Sequence, residues 1–454
     1  MDAYLGQKID WTSCGPDKCA TVLAPLDYAQ PEAQAITLSL RKKPATKSPK
    51  IGTLFLNPGG PGGSGMDLVD GFERKGLERF DLVGWDPRGV GESTPVVCYG
   101  AKETDALNAL DQSPDTFAER AALIDAYAAF GKSCWDHSGA LLAHISTQDT
   151  VRDLDLLRGL VGDKKLYYFG YSYGTQIGAT YAEMFGANAG RMVLDSAVDI
   201  TDSGGDGDAD VIQAMGFDLA LDHFASWCAA RKCSLGTNKK AVVTTITRFL
   251  DNLDAKPLKV GSRHLTQSLA TTGIAAMLYP GVDAWPYLLL EIEMARRGDG
   301  ALMLLSSDEL NDRRPGGAYG SMFYSFYAIS CADGTEKGVL DAERLWRKDE
   351  KAAPVFGKYM GPSYSCPLWP VPTAPELKIR GADAPPILII GATGDSATPY
   401  QQAVSMAKQL VSGVLVTYDG EGHCTYGGKS PCVDKIVVNY LVNGKVPKDG
   451  TKCK

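Results

Sequence analysis

Short runs of apolar residues punctuate the chain. They cover Ile36 to Leu40, Gly52 to Leu56, Phe80 to Trp85, Lys165 to Phe169, Arg191 to Leu194, Pro386 to Ile390 and Val414 to Tyr418. Each has the length of a strand, and flanking Gly, Pro and Asp residues bound most of them. Strands apolar throughout suit a parallel sheet covered on both faces. Helical spacing fills some of the intervals. Thr147 to Leu160 reads as a helix capped by Thr147, with Val151, Leu154, Leu156, Leu157 and Leu160 as its apolar positions. Thr175 to Phe185 reads as a second, with small residues toward the sheet. This alternation predicts a doubly wound, mostly parallel α/β fold.

The pattern changes between about Ile200 and Ile379. No strand alternates with helices there, and helical periodicity takes over in Val211 to Ala230, Lys240 to Leu253 and Ala284 to Arg297. Sheet strands bracket this stretch, so it reads as a mainly helical insertion over the sheet. Gly204-Gly205-Asp206-Gly207-Asp208 reads as its flexible entry loop. The expected organisation is a first core part at 1–199, a cap at 200–380 and a second core part at 381–454. A length of 454 residues exceeds the usual single compact domain and agrees with an inserted one. A hydrophobic fraction of 44% excludes wholesale disorder, and a net charge of −8 disfavours nucleic acid and anionic membranes as main partners. No apolar run reaches the length of a membrane span.

The 11 cysteines are many for a cytosolic enzyme, and they lack zinc-ligand spacing. Sequence neighbours pair as Cys14 with Cys19, Cys98 with Cys134, Cys228 with Cys233, Cys331 with Cys366 and Cys432 with Cys453, leaving Cys424 over. Disulfides imply an oxidising compartment; buried free thiols are the alternative. The chain opens Met-Asp-Ala-Tyr with no leader pattern, so a secreted protein would have lost its signal peptide and gained an initiator Met.

Gly170-Tyr171-Ser172-Tyr173-Gly174 carries the strongest chemical signal. An apolar strand precedes it and a helix follows, which is the setting of a nucleophile elbow. The other reading is an ordinary Gly-rich turn with a surface serine. A serine hydroxyl needs a base to take its proton. Of five histidines, His423 lies latest, after the strand ending at Tyr418, in Gly420-Glu421-Gly422-His423. His137 and His144 precede the elbow, and His223 and His264 fall in the insertion. Asp395, on the loop after Pro386 to Ile390, is the candidate acid that orients His423. Asp419 and Glu421 are rivals, disfavoured because they lie so close to His423 in sequence. Asn57-Pro58-Gly59-Gly60-Pro61-Gly62-Gly63-Ser64-Gly65 lets backbone approach a ligand closely. The Gly60 amide is the expected oxyanion donor, paired with the Tyr173 amide. A phosphate-binding reading lacks the required Gly-Lys-Ser/Thr or Gly-x-Gly-x-x-Gly context.

These segments, together with Asp86-Pro87-Arg88-Gly89-Val90-Gly91-Glu92-Ser93, Gly394-Asp395-Ser396-Ala397-Thr398-Pro399 and Gly422-His423, resemble the α/β-hydrolase serine peptidases related to prolyl aminopeptidase. The chain is most similar to secreted actinobacterial tripeptidyl aminopeptidases. Trp11-Thr12-Ser13-Cys14, Pro25-Leu26-Asp27-Tyr28 and the segment from about Cys366 to Cys453 match theirs. The resemblance implies an α/β-hydrolase fold with a helical cap, no cofactor or metal, and release of short peptides, tripeptides foremost, from a free N-terminus. It also implies cap carboxylates that bind the substrate ammonium. Glu291 and Glu293 are candidates, although a solvated helix face is the favoured reading for them. Cys424, directly after His423, departs from the pattern. The expected protein is therefore a secreted monomeric serine hydrolase acting on a peptide or small acyl substrate. An esterase, lipase or amidase with the same machinery and a non-catalytic binding protein of this fold are the rivals.

Overall fold

The computed structural model describes residues 1–200, 208–334 and 337–454. The loop expected at Gly204 to Asp208 lies outside them, except that Asp208 opens a helix. Twelve strands are described: β1 (Thr12–Cys14), β2 (Asp17–Pro25), β3 (Ala35–Lys43), β4 (Gly52–Asn57), β5 (Phe80–Trp85), β6 (Leu166–Tyr171), β7 (Ala189–Asp195), β8 (Leu258–Val260), β9 (Arg263–Leu265), β10 (Ile387–Gly394), β11 (Gly413–Glu421) and β12 (Thr451–Cys453). Ten of them form one sheet in the order β1-β2-β3-β5-β4-β6-β7-β10-β11-β12. From β5 to β12 all neighbours are parallel. Every position of β4 and β5 is buried, as continuous apolar runs in a doubly covered sheet require.

The structure departs from the sequence reading at one edge. β3 pairs antiparallel with both β2 and β5, so Ile36 to Leu40 belongs to an antiparallel margin. β2 carried no apolar run. Its Val22 and Ala24 are buried while Thr21 and Leu23 face solvent, the alternation of a strand covered on one face only. The helix Thr147–Leu160 forms as expected, but its cap is Ser146, whose hydroxyl accepts from the Asp149 amide. Thr147 instead donates its hydroxyl to Asp333 and meets the Tyr173 hydroxyl at 2.5 Å.

Helices fill most of the span from Asp208 to Tyr359, in keeping with the expected mainly helical pattern. β8 and β9 form a small antiparallel hairpin there. Apolar contacts divide this stretch. Residues between Ala214 and Leu304, with Ala353 to Tyr359, form one hydrophobic cluster. Phe323, Tyr324, Ala328 and Ile329 of the helix Ser321–Asp333 join the cluster under the sheet. The rings of Phe323 and Tyr324 meet Phe130 of the helix Phe117–Ser138, which lies between β5 and β6 and carried no strong amphipathic signal. The five expected disulfides are present, and Cys424 is free.

Candidate active site

The parallel strands end in loops that meet at one place. β6 stops at Tyr171 and a helix, Tyr173–Met184, starts at once, with Ser172 between them at φ 55° and ψ −127°. That is costly for a residue with a Cβ, of order 1–3 kcal/mol, and persists only where neighbours enforce it. The flanking glycines explain how the turn closes. A Cβ on Gly170 would lie 2.4 Å from the Gly174 carbonyl oxygen, and one on Gly174 would lie 2.7 Å from Asn57 Oδ1.

The loop after β4 packs on this turn. A Cβ on Gly59 would sit 2.8 Å from Ser172 Cβ, so only glycine permits that approach. Asn57 Oδ1 accepts from the Gly59 amide at 2.9 Å. The Gly60 and Tyr173 amides have no acceptor among the described residues. Asp86, from the segment after β5, steadies the loop by accepting from Ser64 Oγ at 2.6 Å and the Glu92 amide at 2.9 Å.

His423 and Asp395 meet directly. His423 Nδ1 lies 2.8 Å from Asp395 Oδ1 and 3.0 Å from Oδ2. Asp395 is fully buried, and it also accepts from the Ala397 amide at 3.0 Å, the Thr398 amide at 2.9 Å and the Thr398 hydroxyl at 3.0 Å. The Asp-x-x-Thr-Pro segment is thus a cradle in which Thr398 holds the carboxylate. Burial pushes the Asp395 carboxyl up, but His423 and these donors outweigh it and hold it below the usual range. Burial likewise pulls His423 down, and the Asp395 carboxylate and Cys424 beside it raise it well above the usual imidazole value. A carboxylate on Nδ1 leaves Nε2 as the acceptor in the neutral ring. The His423 amide donates to the Tyr279 carbonyl at 2.8 Å, and the Tyr279 ring meets the imidazole edge-on at 5.4 Å.

Ser172 makes no hydrogen bond to His423 among the described residues. What joins the two is the end of β7, where Asp195 and Ser196 bind both loops; sequence reading missed this pair. The only signal was an Asp-Ser after an apolar strand. Tyr279 was missed too, since nothing local marks it. Asp419 and Glu421, the rival acids, do not bond His423: Asp419 meets Thr393, and Glu421 meets His223 at 2.9 Å.

A chamber of about 260 Å3 opens beside Tyr279. Its wall carries carboxamides such as Gln112 and Gln213, hydroxyls such as Ser268 and Thr271, and the rings of Phe217 and Tyr359; among the described residues no charged side chain lines it. A larger cleft, about 530 Å3, is lined by Asp105, Arg263 and His264 among others. Glu291 and Glu293 line neither. Glu291 is buried and accepts from Ser306 Oγ at 2.7 Å, which corrects the solvated-face reading, and Glu293 meets Ser234 and Arg297.

A mostly parallel sheet with a serine elbow after one strand and an Asp–His pair after two later ones is the architecture of an α/β hydrolase. Residues 353–453 match the family model described as TAP-like protein. Serine protease Hip1 of Mycobacterium tuberculosis is 34% identical over 99% of this chain and 91% of its own. Carboxylesterase B of the same species is 34% identical over 96% and 86%, and the tripeptidyl aminopeptidase of Streptomyces lividans is 29% identical over 98% and 86%. The chain belongs to this family of α/β-hydrolase serine peptidases, and it is a serine hydrolase of the peptidase type.

Proposed function

We propose that the protein is a secreted exopeptidase that removes short peptides, tripeptides foremost, from free N-termini. Ser172 attacks the scissile carbonyl, and His423 Nε2 takes its proton. The Gly60 and Tyr173 amides receive the oxyanion. His423 returns the proton to the leaving amine, an acyl-enzyme remains on Ser172, and water releases it by the same steps. Asp395 holds the ring and stabilises the imidazolium. Residues 200–380 act as the cap that bounds the substrate.

The carrying observation is the buried Asp395–His423 pair at 2.8 Å, tied through the end of β7 to the elbow that holds Ser172. The chamber supports peptides over lipids. Its carboxamides and hydroxyls suit peptide N–H and C=O groups, which an acyl tail would leave unpaired. Carboxylates stand one step behind that lining. Asp111 precedes Gln112, and Asp251, which accepts from the Tyr359 hydroxyl at 2.8 Å, is already paired with Lys358 Nζ at 2.9 Å, so Asp111 is the carboxylate left for a substrate ammonium. The five disulfides support export to an oxidising compartment, and no described helix is long and apolar enough to cross a membrane.

The name of the carboxylesterase relative favours an esterase as the second reading. A panel of tripeptidyl and aminoacyl chromogenic amides against short-chain esters decides between them. Tripeptidyl amides should lead, and N-acetylation should abolish their cleavage. Ser172→Ala should remove nearly all hydrolysis and fluorophosphonate labelling while the fold is kept. Better turnover of esters, or equal turnover of acetylated peptides, would refute the exopeptidase reading.

A further inference from the structure

We propose that Asp195 and Ser196 are positioning residues that set the nucleophile, acid and base loops from a single point; this rests on the triad reading above. Asp195 ends β7. Its carbonyl oxygen accepts from the Ser172 amide at 2.9 Å. Its carboxylate Oδ2 accepts from the Thr425 amide at 3.0 Å and the Tyr426 amide at 2.7 Å. Ser196 Oγ accepts from the Cys424 amide at 2.7 Å. Three consecutive amides directly after His423 are therefore held by two adjacent side chains. Thr398 Oγ1, the hydroxyl that cradles Asp395, lies 3.0 Å from the Ser196 carbonyl oxygen, and the Ser196 amide donates to the Ile390 carbonyl of β10 at 3.0 Å.

Two features exceed what fold maintenance requires. Ser196 has a φ of 55°, a left-handed backbone that costs a non-glycine residue free energy and is kept where surroundings over-determine it. Asp195 is fully buried, and its Oδ1 has no hydrogen-bond partner among the described residues. A buried carboxylate oxygen is seldom left so. The carboxylate is held by two amides on one oxygen, and its charge couples to His423. The charged and titratable groups around it are His423, Asp395, Cys424, Lys429 and Tyr171. Burial pushes the Asp195 carboxyl up to about 6, opposed by the two amides and His423. Above that pH its anion favours the imidazolium that forms during proton transfer.

Asp195→Asn and Ser196→Gly separate charge from geometry. Asn keeps an oxygen for the two amides and removes the charge. Its acid limb in kcat/KM should move to lower pH by at least about half a unit, because an anion beside the imidazolium is gone. The His423 Nδ1 proton, followed by NMR, should titrate with the same shift. Glycine suits the left-handed backbone and removes only Oγ. Because Ser196 Oγ also hydrogen-bonds the Asp395 carboxylate, the change should lower kcat about fivefold to tenfold at constant KM. Thermal unfolding of both variants shows the folded fraction. If Asn leaves the His423 titration at its wild-type position, or folded Ser196→Gly keeps full kcat, the proposal is overturned. The NMR titration needs no hydrolysis, so it still decides the Asp195 role if Ser172→Ala proves active and the triad reading falls.

Discussion

Glu291 carries a buried carboxyl with Ser306 on Oε1 and nothing on Oε2. Burial, with Glu309 adding to it, pushes its pKa up to about 7 against the Ser306 hydrogen bond. A carboxyl raised on folding stabilises the fold below its unfolded value near 4.5, and that contribution is lost as pH rises through about 7. Glu291→Gln should thus match the wild type near pH 4 and exceed it at pH 8, by about 1–2 kcal/mol once partial exposure is discounted. Denaturant unfolding at the two pH values checks this; equal stability at pH 8 would contradict it. His423 titrates with the opposite consequence for activity. Its raised pKa means that, as the proposed base, it loses its neutral form early on acidification. kcat/KM should therefore fall with a midpoint above the ordinary imidazole value of about 6.5, and a midpoint at or below that value would contradict the geometry.

At the scale of elements, Arg88 joins what the sheet does not. All five of its N–H donors are taken. Asp153 on the helix Thr147–Leu160 receives Nε at 2.8 Å and Nη2 at 2.7 Å, and the carbonyls of Pro25, Leu26 and His144 receive the rest. Tyr28 adds its hydroxyl to Asp153 at 2.8 Å. Arg88 and Asp153 are both wholly buried. Asp153→Asn leaves the guanidinium buried without its counter-charge and should cost about 3–5 kcal/mol in urea unfolding. Asp136→Asn, which breaks the exposed pair with Lys132, should cost less than about 0.5 kcal/mol. The sequence showed the Asp-Pro-Arg-Gly segment but not this partner, which lies 65 residues away. The same limit divided the rest of the reading. Strands buried on both faces were legible because their composition is uniform, and the elbow because its glycines are sterically obligatory. β2 and the Phe117–Ser138 helix were not, since a half-exposed strand and a helix packed on several sides leave weak periodicity. Asp395 and His423 were singled out by their order along the chain, and the structure brings them to 2.8 Å. Asp195 and Tyr279 act through long-range contacts that have no local pattern.

For the whole molecule, the bridges sit unevenly. Cys228–Cys233 ties a turn in the helical cluster, whereas Cys432–Cys453 fastens the last edge strand, β12, to the helix Pro431–Asn443. That helix covers the sheet next to the segment bearing His423. Replacing Cys432 and Cys453 together by serine should lower stability by about 3 kcal/mol, read as a fall in Tm, with KM unchanged in the folded enzyme. Replacing Cys228 and Cys233, which close a shorter loop, should cost less. A larger loss from the second pair would argue against the loop-entropy account. The convergence at β7 bears on how the molecule tolerates motion. Three loops measured from one datum share its displacement, so a shift of the strand end carries Ser172, Asp395 and His423 together. Their mutual distances then vary less than their absolute positions. Drift accumulated through sequence change in the outer strands or the cap reaches the site as a common offset, which leaves the internal alignment of the reacting groups nearly untouched.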